Sequence, residues 1–293
     1  MSSTLPDLAP STPADTLASL RAELDRIDDA LHDMLMQRAG VVTRVAALGA
    51  KGPVALRPGR EADIIRRLLR RHTGLLPKRA LPRIWRELFA ATTAMQGPYT
   101  ITVCEAEGPS GGYATLAREH FGTATNLRIH RSPAQAIAEI SAGNATAAVL
   151  PMPTEDEPSR AAWWTALLPR DEPRIHVVAR LPFWTPRAEG ATQARAFVVS
   201  AAAPDRSAQD RSLIGLELPH DMSRARLSAA LAEAGLSSSG VLLRRNQNDP
   251  VALALVDVEG YVTQDDPRLS GLGALRPPVV LGAYATPLDG DVT

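Results

Sequence analysis

Arg21, Arg38, Arg57, Arg60, Glu61 and Gln96, with Thr92 one turn before the glutamine, have the types and spacing to hold a small dianion. A guanidinium fork engages both oxygens of a carboxylate at once. The glutamate adds an acceptor and the glutamine adds a donor. Arg21 and Arg38 fall on one long amphipathic helix expected over residues 15–48. There Leu17, Leu20, Leu24, Ile27, Leu31 and Leu35 recur at three- and four-residue steps. Gly40 is the weak point of that pattern. The separation of Arg21 and Arg38 along such a helix is roughly 25 Å, with an angular offset of about 100°. If both serve one kind of site, that site is assembled from two chains.

Composition narrows the remaining chemistry. The 293 residues include 32 basic and 32 acidic side chains and are 45% hydrophobic. That is enough core-forming material for two or three domains. The absence of net charge gives no reason to expect a nucleic-acid or membrane-surface partner. The run Arg66-Arg67-Leu68-Leu69-Arg70-Arg71 reads as a solvated helix face, with Ile64, Ile65, Leu68 and Leu69 as the apolar stripe between the charges. Cys104 is the only cysteine, and the six histidines lack metal-ligand spacing, so a metal centre is not expected. The first fourteen residues, rich in Ser, Thr and Pro, read as a disordered lead without the features of a signal peptide. No apolar stretch approaches a membrane span, and the expected compartment is the cytoplasm.

The patterning predicts an all-helical region followed by α/β and ferredoxin-like α+β regions. A second helix is expected over 58–72, with Pro58 in its first turn. A third follows Pro77, burying Leu81, Ile84, Trp85, Leu88 and Phe89, and closes at Gly97-Pro98. After Tyr99 the period changes. Strands are expected at 101–103 and 147–150, a glycine-rich turn at 108–112, and helices at 114–121 and 134–142. A proline-rich stretch carries one strand, 175–179. Strands at 196–199, 213–218, 241–243, 252–258 and 279–284, with helices at 223–234 and 266–272, then give a connecting strand followed by strand-helix-strand-strand-helix-strand. That order suits a ferredoxin-like module. The expected domains are a lead (1–14), a helical domain (15–98), an α/β region (99–193) and the ferredoxin-like region (194–293).

Leu20-Arg21, Ile27-Asp28, Gln37-Arg38-Ala39, Leu56-Arg57-Pro58-Gly59-Arg60-Glu61-Ala62 and Trp85-Arg86-Glu87-Leu88 occur in this order across residues 15–98. Together they resemble the all-helical chorismate mutase family, and more narrowly the mutase domain at the front of bacterial mutase–prephenate dehydratase proteins. The resemblance implies a three-helix domain that forms an intertwined homodimer, with chorismate as substrate and no cofactor. It implies that Arg38 and Arg21 of a second chain bind the substrate carboxylates. Arg57 and Arg60 line the same pocket, Glu61 accepts from the substrate hydroxyl, Thr92 reaches the pocket, and Gln96 donates to the ether oxygen. Where the family places a lysine this chain has Gly49, and Lys51 two residues later is the candidate replacement.

Residues 99–193 resemble a shortened prephenate dehydratase domain through Gly108-Pro109-Ser110-Gly111-Gly112-Tyr113-Ala114 and Ala148-Val149-Leu150-Pro151. That family's Glu-Asn-Ser segment is Pro153-Thr154-Glu155 here, and its Thr-Arg-Phe motif is Ala194-Arg195-Ala196, so an inactive dehydratase is expected. Residues 196–288 resemble an ACT regulatory domain. His220-Asp221-Met222-Ser223 replaces the glycine of its amino-acid site, so an amino-acid effector is not expected there. The reading is a chorismate mutase with an inactive tail. The alternatives are a bifunctional mutase–dehydratase and a non-catalytic, metabolite-binding regulatory dimer.

Overall fold

A computed structural model describes residues 16–48, 55–105, 112–159, 161–185, 187–245 and 249–290. The lead, Gly49, Lys51 and most of the glycine-rich turn lie outside the described residues. The chain divides into two compact units, before and after residue 50.

Among the described residues, the first unit is a single helix, α1 (Leu17–Ala47). Thr16 caps it, its hydroxyl accepting from the Ser19 N–H at 3.3 Å. The helix runs through Gly40 without interruption. Its six-residue aliphatic stripe is between 37% (Leu35) and 64% (Leu17) exposed, and no residue of α1 is buried.

The second unit begins with α2 (Pro58–Arg71) and α3 (Ala80–Ala94). Next come β1 (Thr100–Cys104), α4 (Tyr113–Phe121), β2 (Asn126–His130), α5 (Pro133–Ser141) and β3 (Ala147–Pro151). A 3-10 turn at Trp163–Leu167 leads to β4 (His176–Leu181), β5 (Trp184–Thr185), β6 (Ala196–Ser200) and β7 (Asp210–Pro219). The chain continues through α6 (Arg224–Glu233), β8 (Ser238–Arg245), β9 (Val251–Glu259), a 3-10 turn at Pro267–Gly271, β10 (Val279–Ala285) and β11 (Leu288–Asp289).

Among the described residues, nine strands form one sheet in the order β2-β1-β3-β6-β4-β10-β7-β9-β8. β1 runs parallel to β2 and β3, while β6 is antiparallel to β3 and β4. The last four strands are antiparallel in the order β10-β7-β9-β8, the ferredoxin-like arrangement, with the second crossover reduced to the 3-10 turn. Successive residues serve opposite faces, as a pleated strand requires: Ala148 and Leu150 enter one core, Ala147 and Val149 another. Leu227 and Leu231 of α6 cover Ile214, Leu216 and Leu218 of β7.

Three expectations need correction. β2 carries no apolar run because it is an edge strand with most side chains outside the core, so its pattern left it unread. Arg66 is not solvated: it is 8% exposed and donates to the carbonyls of Gln209 (3.2 Å) and Thr286 (2.6 Å). α3 is rolled relative to its expected face, burying Arg86, Phe89, Ala90 and Thr93 and leaving Ile84 exposed.

The two halves of the sheet meet where β4 lies beside β10, through Val177 and Gly282. Gly282 has φ +150°, and a Cβ there would sit 2.1 Å from the Val177 carbonyl oxygen. Gly282→Ala is therefore expected to cost at least about 2 kcal/mol of stability in a denaturant titration. A variant as stable as the parent would contradict this seam.

Burial also sets an acid limit. Desolvation, reinforced by Arg86, holds the His120 pKa well below 6.5. Burial and Arg174 push His176 down to about 4, against the opposing pull of Glu172. For both, the unfolded chain takes up a proton at higher pH than the folded one. The stability they support is full above pH 6.5 and declines as pH falls toward the folded values. Each contributes a slope of at most about 1.4 kcal/mol per pH unit, less for the partly exposed His176. Denaturant midpoints taken down from neutral pH should show a shallower decline in His176→Gln; an unchanged slope would contradict the assignment.

Candidate active site

The motif Arg57-Pro58-Gly59-Arg60-Glu61 opens α2, and each residue has a local reason to be there. Pro58 occupies the first turn, where its missing N–H costs nothing. The Asp205 carboxylate accepts from the N–H groups of Gly59 (3.0 Å) and Arg60 (2.9 Å), satisfying two free donors of the helix start. Gly59 permits that approach, since a Cβ there would meet the Asp205 carbonyl oxygen at 2.4 Å. Farther along α2, Asp63 accepts from the Ala208 N–H at 3.0 Å. α2 is thereby fastened to the loop before β7.

Arg60 is exposed, while Arg57 is half-buried and donates to the Leu56 carbonyl at 2.9 Å. Glu61 turns inward. Its Oε2 accepts from Arg86 Nη1 at 2.7 Å, and both side chains are largely buried. Burial lowers the Arg86 pKa, and Glu61 opposes that shift. Arg86 also lies over the Phe183 ring, 5.3 Å from its centroid. Sequence reasoning gave Arg86 and Asp205 no role. Arg86 shares the i, i+3, i+4, i+7 face of Phe89, Ala90 and Thr93, but the apolar stripe Leu81, Ile84, Trp85 and Leu88 pointed to a different buried face. Asp205 left no local signal, since its partner is 146 residues away.

Gln96 lies just past the end of α3, not within it, and its side-chain amide donates to the Thr92 carbonyl at 2.7 Å. The Thr92 hydroxyl donates to the Leu88 carbonyl, also at 2.7 Å. Both polar groups therefore stay at the half-buried end of α3. Arg57, Arg60, Glu61, Thr92 and Gln96 fall in the second unit; Arg21, exposed, and Arg38, half-buried, stand on α1 in the first.

The chorismate mutase type II family model matches residues 20–97. The front of the chain is thus similar to the chorismate mutase type II family. The chain is 27% identical over 150 residues to the bifunctional chorismate mutase/prephenate dehydratase of Pseudomonas aeruginosa, covering 49% of this chain and 40% of that protein. It is 32% identical over 107 residues to the protein of the same name from Neisseria gonorrhoeae, covering 36% and 28%. The match thus spans about two-fifths of the length of the Pseudomonas protein. Among solved structures, prephenate dehydratase from Arthrobacter aurescens in complex with L-Phe is similar at 16% identity and a TM-score of 0.46, over 64% of this chain and 90% of that one. Prephenate dehydratase from Streptococcus mutans gives 16% and 0.44, over 64% and 98%.

The Glu61–Arg86 pair carries a measurable load. Glu61→Leu leaves a buried guanidinium without its counter-ion and is expected to cost about 3–5 kcal/mol. Adding Arg86→Met removes the orphaned charge and should recover part of that loss. Denaturant titration of the single and double variants measures the coupling; a double variant less stable than Glu61→Leu alone would contradict it.

Proposed function

We propose that the chain is a chorismate mutase, rearranging chorismate to prephenate in aromatic amino-acid biosynthesis. The observation that carries this reading is the ordered set Arg21, Arg38, Arg60, Glu61 and Gln96 within the stretch that matches the family model. The reaction is pericyclic: the C–O bond of the enolpyruvyl ether breaks as a C–C bond forms, with no nucleophile, proton relay or cofactor. Catalysis consists of holding the substrate in its compact conformer and placing donors where negative charge grows on the ether oxygen.

In this proposal Arg38 and Arg21 of a second copy bind the carboxylates, with Arg57 and Arg60 lining the pocket. Glu61, fixed by Arg86, accepts from the substrate hydroxyl through its carboxylate. Gln96 exchanges its bond to the Thr92 carbonyl for one to the ether oxygen, and Thr92 stands beside it. Lys51 supplies the cation missing at Gly49. A homodimer supports this arrangement on two counts: the exposed apolar stripe of α1 needs covering, and one straight helix keeps its two arginines apart.

The tail is proposed to be inactive as a dehydratase. The Glu105 carboxylate takes the N–H groups of Gly112 (2.5 Å) and Ala114 (2.8 Å), so the chain itself fills the anion-attracting start of α4. Glu155 is engaged by Arg224 and by the Leu243 N–H. A second reading, a bifunctional mutase–dehydratase, draws support from the names of the similar proteins.

Loss of chorismate absorbance, with product assayed before and after mild acid, tests the proposal. The expected result is turnover to prephenate, with phenylpyruvate only after acid. Phenylpyruvate before acid would establish the bifunctional reading, and no turnover by an intact dimer would overturn the mutase.

A further inference from the structure

A cavity of about 540 Å³ opens between α3, α4 and the segment 181–188, within the second unit. Its size falls in the range of small-molecule sites. Leu116, Leu181, Pro182, Phe183 and Trp184 give it apolar and aromatic walls. Two of its polar lining side chains are more than nine-tenths buried: Arg86 at 5% exposed and His120 at 8%. Glu61 is the one hydrogen-bond partner of Arg86 among the described residues, and it occupies only Nη1. The guanidinium is therefore held in place with other donors left over. The charge balance is basic. Five arginines line the cavity against two glutamates, and both glutamates are engaged: Glu119 with Arg187 at 2.6 Å and Glu87 with the Thr123 N–H at 2.9 Å.

We propose that this cavity binds a small carboxylate carried on an aromatic body, at a site separate from the residues assigned to the mutase. The ring packs against Phe183 and Trp184, and the carboxylate meets Arg86 with Arg83 at the rim. His120 supplies a hydrogen bond through its imidazole. An inorganic anion would leave the aromatic walls unused, and a neutral aromatic would leave a buried guanidinium without a second acceptor. The proposal goes beyond the mutase reading and does not depend on it, because binding is measured without turnover.

The test is calorimetric titration of the full chain with phenylacetate, and with phenylacetamide as its uncharged counterpart. Phenylacetate should bind at least about tenfold more tightly than the amide, the worth of one charge-assisted contact. Arg86→Met should weaken phenylacetate by a similar factor. Because that change leaves Glu61 without its partner, Ile84→Trp is the second variant: Ile84 lines the cavity yet is exposed, so a larger ring there fills the space without disturbing the core. Loss of binding in folded Ile84→Trp, with binding retained in Arg38→Ala, supports the site. Absence of phenylacetate binding at millimolar concentration, equal affinity for the amide, or binding unaffected by Ile84→Trp would overturn it. So would loss of binding in Arg38→Ala, which would place the anion with the mutase residues.

Discussion

Apolar surface has to be covered, and α1 carries a stripe of it that stays in solvent. Six aliphatic side chains recur along one face, and none is buried. Covering them is worth on the order of 1–2 kcal/mol each, which together rivals the net stability of a small domain. The helix also spaces Arg21 and Arg38 too widely to grip one metabolite. The proposed homodimer would answer both problems, because a second copy along the stripe would cover the leucines and bring one chain's Arg21 toward the other's Arg38. The proposed chemistry rests on that arrangement, since a cofactor-free rearrangement has only positioning and electrostatics to work with.

The second unit shows how the helices that carry the remaining candidate residues are held. Asp205 caps α2, Arg66 reaches the carbonyls of Gln209 and Thr286, and Arg86 ties Glu61 to α3. These contacts join α2 to the loop before β7 and to the end of β10, and α3 to α2. The tail thus has a physical role independent of any second activity: it fixes the start of α2, which carries Arg60 and Glu61.

Much of this was legible in the sequence because it depends on local pattern. The helix periods, the change of period after Tyr99 and the ferredoxin-like strand order all follow from side-chain spacing. What escaped depends on partners distant in the chain. The edge strand Asn126–His130 has no buried run to reveal it. Arg66 sits in a string of charges that reads as solvent-facing until carbonyls more than a hundred residues away are brought to it. Arg86 was visible as part of a motif, but its meaning as the counter-ion of Glu61 required the roll of α3. For the site, residue types could be matched one by one, while the bonds of Gln96 and Thr92 to their own helix could not be foreseen from spacing.

The most direct test of the central claim, one substrate site built from two chains, mixes Arg21→Ala protein with Arg38→Ala protein after reversible dissociation. Each variant alone should be nearly inactive on chorismate. Random pairing yields mixed dimers with one site free of both lesions, so about a quarter of the parental activity should return. No recovery, despite mixed dimers demonstrated directly, would contradict a shared site.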